Sequence, residues 1–154
     1  MIELNLNETA FALDTQTRES AFYVWDDLEE GLSYGLDCTF KPNKFEEERV
    51  IPALSINTVE TSAKRLEDLV GMTFGVNDIG EADAREDTFY IFEHEPIKHY
   101  QLAILEMKDG RIHISCSGTA VNDGYAQPYT TATFEIDCWL PIITDVSDWE
   151  KLGL

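Results

Sequence analysis

Thr131-Ala132-Thr133-Phe134-Glu135-Ile136-Asp137-Cys138-Trp139-Leu140 alternates in kind at every step. Successive side chains of a strand point to opposite faces, so a period of two marks a half-buried strand. Ala132, Phe134, Ile136, Cys138 and Leu140 share one face, and Thr131, Thr133, Glu135, Asp137 and Trp139 the other. Upstream, Ile112, Ile114, Cys116 and Gly118 alternate with Arg111, His113, Ser115 and Ser117. This second strand is the return arm of a hairpin, Gln101–Met107 with Arg111–Ala120, joined by Lys108-Asp109-Gly110. Asp-Gly suits the positive φ values of a tight hairpin turn.

Further strands are expected near Thr88–Glu93, Ile2–Leu6, Phe22–Trp25, Leu32–Phe40, Pro52–Asn57 and Met72–Val76. One amphipathic helix is predicted over Val59–Val70. Val59, Ala63, Leu66, Leu69 and Val70 form its stripe, Thr58 its N-cap and Gly71 its C′ residue. Val146–Leu152 reads as a short terminal helical turn. Asp78–Asp87 and Asn122–Tyr129 read as loops. The expected fold is mainly β, at the margin of α+β: an antiparallel β-sandwich or strongly bent sheet, with the helix at 59–70 packed on it. No repeat or linker interrupts the chain, so residues 1–154 form one globular domain.

Charge narrows the function. Thirty Asp and Glu against eleven Lys and Arg leave a net charge of -19, and the pI is near 4.2. An excess of this size steers cationic partners and repels anionic ones. Direct nucleic-acid binding needs clustered bases, and only Lys64 and Arg65 are adjacent. The N-terminus has neither the basic nor the apolar region of a signal peptide, and no apolar run reaches membrane-spanning length. Cys38, Cys116 and Cys138 match no zinc or redox spacing and read as reduced thiols. A soluble cytoplasmic protein is expected.

Motifs for chemistry are missing. His94-Glu95-Pro96-Ile97-Lys98-His99 sets two histidines five apart with Pro96 between them, whereas the zinc-protease helix needs them four apart. Asp78–Asp87 lacks the alternating oxygens of an EF-hand. Ser115-Cys116-Ser117-Gly118 is no nucleophile elbow. Gly31-Leu32-Ser33-Tyr34-Gly35 is no phosphate loop. These readings predict no catalytic residue, no metal and no cofactor.

Acids cluster beside aromatics at Trp25-Asp26-Asp27-Leu28-Glu29-Glu30, at Phe45-Glu46-Glu47-Glu48, and from Asp78 through Phe89-Tyr90 to Glu95. Charge for steering and an aromatic for anchoring suit an interface with a basic protein. The favoured partner-binding residues are Asp78, Glu81, Asp83, Glu86, Asp87, Glu93 and Glu95; Trp25, Asp26, Asp27, Glu29 and Glu30 come second. A small, acidic chain without catalytic motifs resembles the immunity proteins of bacterial toxin–immunity pairs. That resemblance implies a non-enzymatic inhibitor that neutralises a basic toxin, such as a nuclease. The alternatives are a β-sandwich module that binds carbohydrate or peptide on Trp25, Trp139 or Tyr125, and a hydrolase using an acid pair. A solubilising surface adapted to high salt would also account for the charge.

Overall fold

The computed structural model describes residues 2–27 and 29–154, with the backbone alone for Asp27; Leu28 of the first acidic cluster lies outside the described residues. In chain order the strands are β1 (Leu4–Leu6), β2 (Thr9–Phe11), β3 (Ala21–Asp27), β4 (Gly31–Thr39), β5 (Asn43–Phe45), β6 (Glu48–Val50), β7 (Ala53–Glu60), β8 (Thr73–Val76), β9 (Thr88–Tyr90), β10 (His94–Lys108), β11 (Arg111–Asp123) and β12 (Thr130–Ile143). Two short helices, α1 (Ile79–Arg85) and α2 (Ser147–Lys151), and one 3-10 turn (Leu66–Leu69) complete the described elements. None of these helices is long and apolar enough to cross a membrane.

The alternating stretch that opened the sequence lies inside β12, and its predicted inner face is buried throughout. β12 pairs antiparallel with β11 from Thr130 to Pro141. The β10–β11 hairpin also forms as expected, with Asp109 and Gly110 at φ 53° and 75° in its turn. Ile112, Ile114, Phe134 and Ile136 are all core residues.

The sandwich expectation is overturned. The chain is 57% strand and 11% helical, and seven strands close into a mixed β-barrel in the order β11-β10-β9-β7-β4-β3-β12, with β12 returning to β11. Closure comes from the last residues of β12, where Ile142 and Ile143 pair in parallel with Phe22 and Tyr23 of β3. All other ring pairings are antiparallel. One parallel contact between the two ends of the chain therefore replaces the two free edges of a sandwich layer. Phe89 and Phe134 meet inside at 4.8 Å between ring centroids, and Phe22 stacks on Tyr34 at 4.9 Å.

The predicted helix at 59–70 is also overturned. β7 continues to Glu60 because β4 offers it partners as far as Ser33, so Thr58 and Val59 are strand residues. Cross-strand pairing overrides a helical pattern built partly on β-branched residues. Only Leu66–Leu69 turns, and Gly71 ends it at φ 93°, in the role expected of it. A helix forms instead where a loop was expected. Asp78 caps α1 by accepting from the Glu81 N–H at 2.9 Å, and Glu86 ends it at φ 62°. The expected terminal turn is α2, whose Trp149 covers Ala21 and Ile143.

α1 fills a seam. Along one edge of β10, β9 pairs with His94–Pro96 and β8 with Tyr100–Ala103, leaving the residues between them unpaired on that side. α1 contacts β10 and β8 at this place. Asp87, just after the helix, turns inward and is 0% exposed. Its Oδ2 accepts from the Tyr100 hydroxyl at 2.6 Å and from Arg85 Nε at 2.8 Å; its Oδ1 accepts from the Asn57 N–H at 2.8 Å. Arg85 also donates to the carbonyls of Thr58 and Asn57 and lies over the Phe74 ring at 4.6 Å. Removing one partner of a buried ion pair strands the other. Asp87→Ala should therefore lower unfolding stability by about 3–5 kcal/mol, and Tyr100→Phe by about 1–2 kcal/mol, both measured by urea denaturation.

Candidate functional site: an acidic barrel mouth

Strand direction decides which connections meet. The β4–β7 connection (40–52), the β9–β10 connection (91–93) and the β11–β12 connection (124–129) emerge at one end of the barrel. The β3–β4 tip, the 61–87 passage and the β10–β11 turn emerge at the other. Barrel mouths are frequent ligand sites, because loops converge there on a rigid frame.

The first mouth holds a cleft of about 650 Å³, lined by Glu46 and Glu48, Phe92 and Glu93, Asn122 to Tyr125, and Thr130 and Thr131. Four of the lining residues are acids and none is basic. Glu95 stands beside it, its carboxylate packed so close to Gly124 that a Cβ there would overlap it. Phe92 is half-buried and rests on Phe45 at 6.3 Å. Tyr125 stands on the rim, 79% exposed, its N–H donating to Asp123 Oδ1 at 2.9 Å. Asn122 is buried and donates through Nδ2 to both Glu46 carboxylate oxygens, at 3.1 Å each. Its Oδ1 is buried and has no partner among the described residues.

Glu46 is presented by a strained turn. Glu46 and Glu47 occupy the two positions between β5 and β6, at φ 48° and 71°. This geometry ordinarily takes Asn-Gly, because a Cβ disfavours left-handed backbone. The run Phe45-Glu46-Glu47-Glu48 stood out in the sequence as acidic, but nothing local joined it to Glu93. Asn122, Asp123 and Tyr125 were read only as parts of a loop, apart from Tyr125 as a stacking surface.

The favoured acids do not gather in one place. Glu93 and Glu95 belong to the mouth. Asp78, Glu81, Asp83 and Glu86 are exposed on and around α1. Asp87 is buried in the ion pair that latches the seam, so it is no surface acid. Asp26, Glu29 and Glu30 are exposed near the β3–β4 tip, at the opposite end; the side chain of Asp27 lies outside the described residues. Trp25, 50% exposed, lies against Gly35 and lines a cleft of about 470 Å³ with Asp26, Lys64, Arg65 and Thr144.

The other sequence candidates have structural roles. His113 Nε2 pairs with Asp137 Oδ1 at 2.5 Å, its ring stacks on Trp139 at 4.9 Å, and Glu106 lies 3.6 Å from Nδ1. Among the described residues neither Ser115 nor Ser117 bonds to it, so no nucleophile–base pair forms. The three thiols are free and buried, and burial pushes the Cys116 thiol far up, away from the thiolate a nucleophile needs. Among the described residues no three His, Cys, Asp or Glu side chains gather as metal ligands. The His94 ring lies tilted against Tyr90, 4.9 Å between centroids, at the edge of an outer groove beside Asp37, which accepts from Ser55 Oγ at 2.9 Å. Burial raises the Asp37 carboxyl, the Ser55 bond opposes this, and Glu19 adds to it.

No family model matches the chain, and neither the curated proteins nor the solved structures include a match to it.

Two outcomes follow from these local environments. Among the described residues Glu47 makes only an exposed ion pair with Lys44, so Glu47→Gly should stabilise the fold by about 1 kcal/mol by removing left-handed strain, read as a higher denaturation midpoint. Asp37 has a folded pKa above its unfolded value, so its charged form disfavours folding. That deficit is present above the folded pKa and vanishes below the unfolded one, near 3.9. Asp37→Asn should therefore raise the melting temperature at neutral pH, with the gain shrinking as pH falls toward about 3.

Proposed function

We propose that this chain is a non-enzymatic, cytoplasmic binding protein that masks a basic partner protein, in the manner of bacterial immunity proteins that block a toxin. The observation that carries this reading is the barrel mouth: four carboxylates around a cleft with an aromatic on its rim and no lining base to neutralise them. The surrounding charge of -19 raises the encounter rate with a cation, and the mouth supplies contacts that fix affinity and register. The exposed acids of α1 and the β3–β4 tip lie outside this contact and act through their field. Open barrel mouths of this size also accept small ligands. The exposed face of Trp25, in its own cleft with Lys64 and Arg65, favours a second reading, a stacking site for a carbohydrate or peptide.

Capture at low salt from the source cell's lysate tests the first reading. The wild-type chain should retain one basic protein stoichiometrically. Glu46→Gln/Glu93→Gln/Asp123→Asn should lose it through faster dissociation. Asp78→Asn/Glu81→Gln/Asp83→Asn should mainly slow association, and that effect should fade once salt shortens the Debye length to about 8 Å. Equal retention by the mouth variant and the wild type overturns the assignment. Retention on polysaccharide that is lost in Trp25→Ala favours the second reading.

A further inference from the structure

We propose that the acidic mouth is a guanidinium pocket, so that the partner enters it through an arginine side chain and not through a lysine. This rests on the cationic-partner reading above and specifies its chemistry.

The first ground is Asn122. It is only 7% exposed and lines the cleft. Its two bonds to Glu46 fix which end of the amide is nitrogen, and so leave Oδ1 as a buried acceptor without a donor among the described residues. Buried acceptors in folded proteins are almost always satisfied, and one left unpaired is costly. A ligand donor at this amide would remove that cost. Asn122 and Glu46 together therefore set an amide beside a carboxylate in the lining of the cleft.

The second ground is the shape of the charge. The carboxylates are spread around a cleft, and no three metal-ligating side chains converge among the described residues. A delocalised cation with several fixed donors suits such a spread better than a compact ion. The planar guanidinium forks onto a carboxylate, is weakly hydrated and stacks on aromatic faces, whereas an ammonium keeps its water more tightly. Phe92 and Tyr125 supply aromatic surface in this cleft.

The third ground is the chain's own handling of an arginine. The Arg85 guanidinium rests on one carboxylate, two carbonyls and one aromatic ring: Asp87, Thr58, Asn57 and Phe74. The cleft lining brings together the same kinds of group, a carboxylate, an amide and an aromatic ring, in Glu46, Asn122 and Phe92.

The probes are N-acetylarginine methylamide and N-acetyllysine methylamide, each titrated at low salt into the full-length ¹⁵N-labelled chain. The arginine probe should shift the Asn122 side-chain amide and the backbone signals of Gly124 and Tyr125, and should bind about fivefold or more tightly than the lysine probe. Glu46→Gln should weaken it about tenfold or more while the remaining spectrum stays that of the folded protein. Phe92→Leu, which leaves every carboxylate in place, should reduce the arginine preference specifically. Equal binding of both probes, lost in Glu46→Gln, overturns the guanidinium assignment and leaves the cationic-partner reading standing. Binding of neither probe overturns it too; the lysate capture with the Glu46→Gln/Glu93→Gln/Asp123→Asn variant then decides the broader reading separately.

Discussion

The whole structure depends on β12 being paired along both edges. Its one side carries β11 for nearly its full length. Its other side carries β1 near Phe134 and Ile136, then β3 at Ile142 and Ile143. The second edge turns a curved sheet into a ring. Closing the ring encloses Phe22, Tyr34, Phe89, Tyr100 and Phe134 in one interior and leaves the outward positions to the acids. Thirty carboxylates repel one another, and a closed wall lets almost all of them point into water, where screening weakens that repulsion.

Two acids serve the fold in opposite ways. Asp87 is taken inside and satisfied by three donors, so its charge fastens α1 over the break in the edge of β10. Glu46 is held outside on left-handed backbone and, among the described residues, its side chain is bonded only by Asn122. The first arrangement stabilises the folded chain. The second adds strain and places an incompletely satisfied pair at the mouth.

The sequence made the β10–β12 wall legible because its information is local. Period-two alternation fixed the inner faces of Ile112 and Phe134, and Asp109-Gly110 fixed the turn. Closure was not legible. It rests on two parallel pairs between residues from opposite ends of the chain, and no pattern in either segment announces the other. The helix assigned to 59–70 failed because Val59 satisfies a strand face as well as a helical stripe, and β4 was there to pair with it. The helix at 79–85 was missed, although Asp78-x-x-Glu81 is a recognisable capping sequence, because Gly80 and the density of acids hid any apolar period. The site was half legible. Glu93, Glu95 and the run at 46–48 stood out as acids, but three separate connections meet at one mouth only once strand order is known.

Closure also governs how this protein can be recognised. Each of the seven ring strands has a neighbour on both sides, so a partner strand cannot extend the ring by adding to an open side. Recognition of the ring itself runs through side chains and through the loops at its ends, while β2 and β8 beside it are each paired on one side. At the acidic mouth those loops are three independent segments, each returning to the frame within a few residues of where it left or through its own small hairpin. Substitutions there can change what the mouth presents while the ring and its interior stay as they are. The architecture thus separates what keeps the chain folded from what it meets.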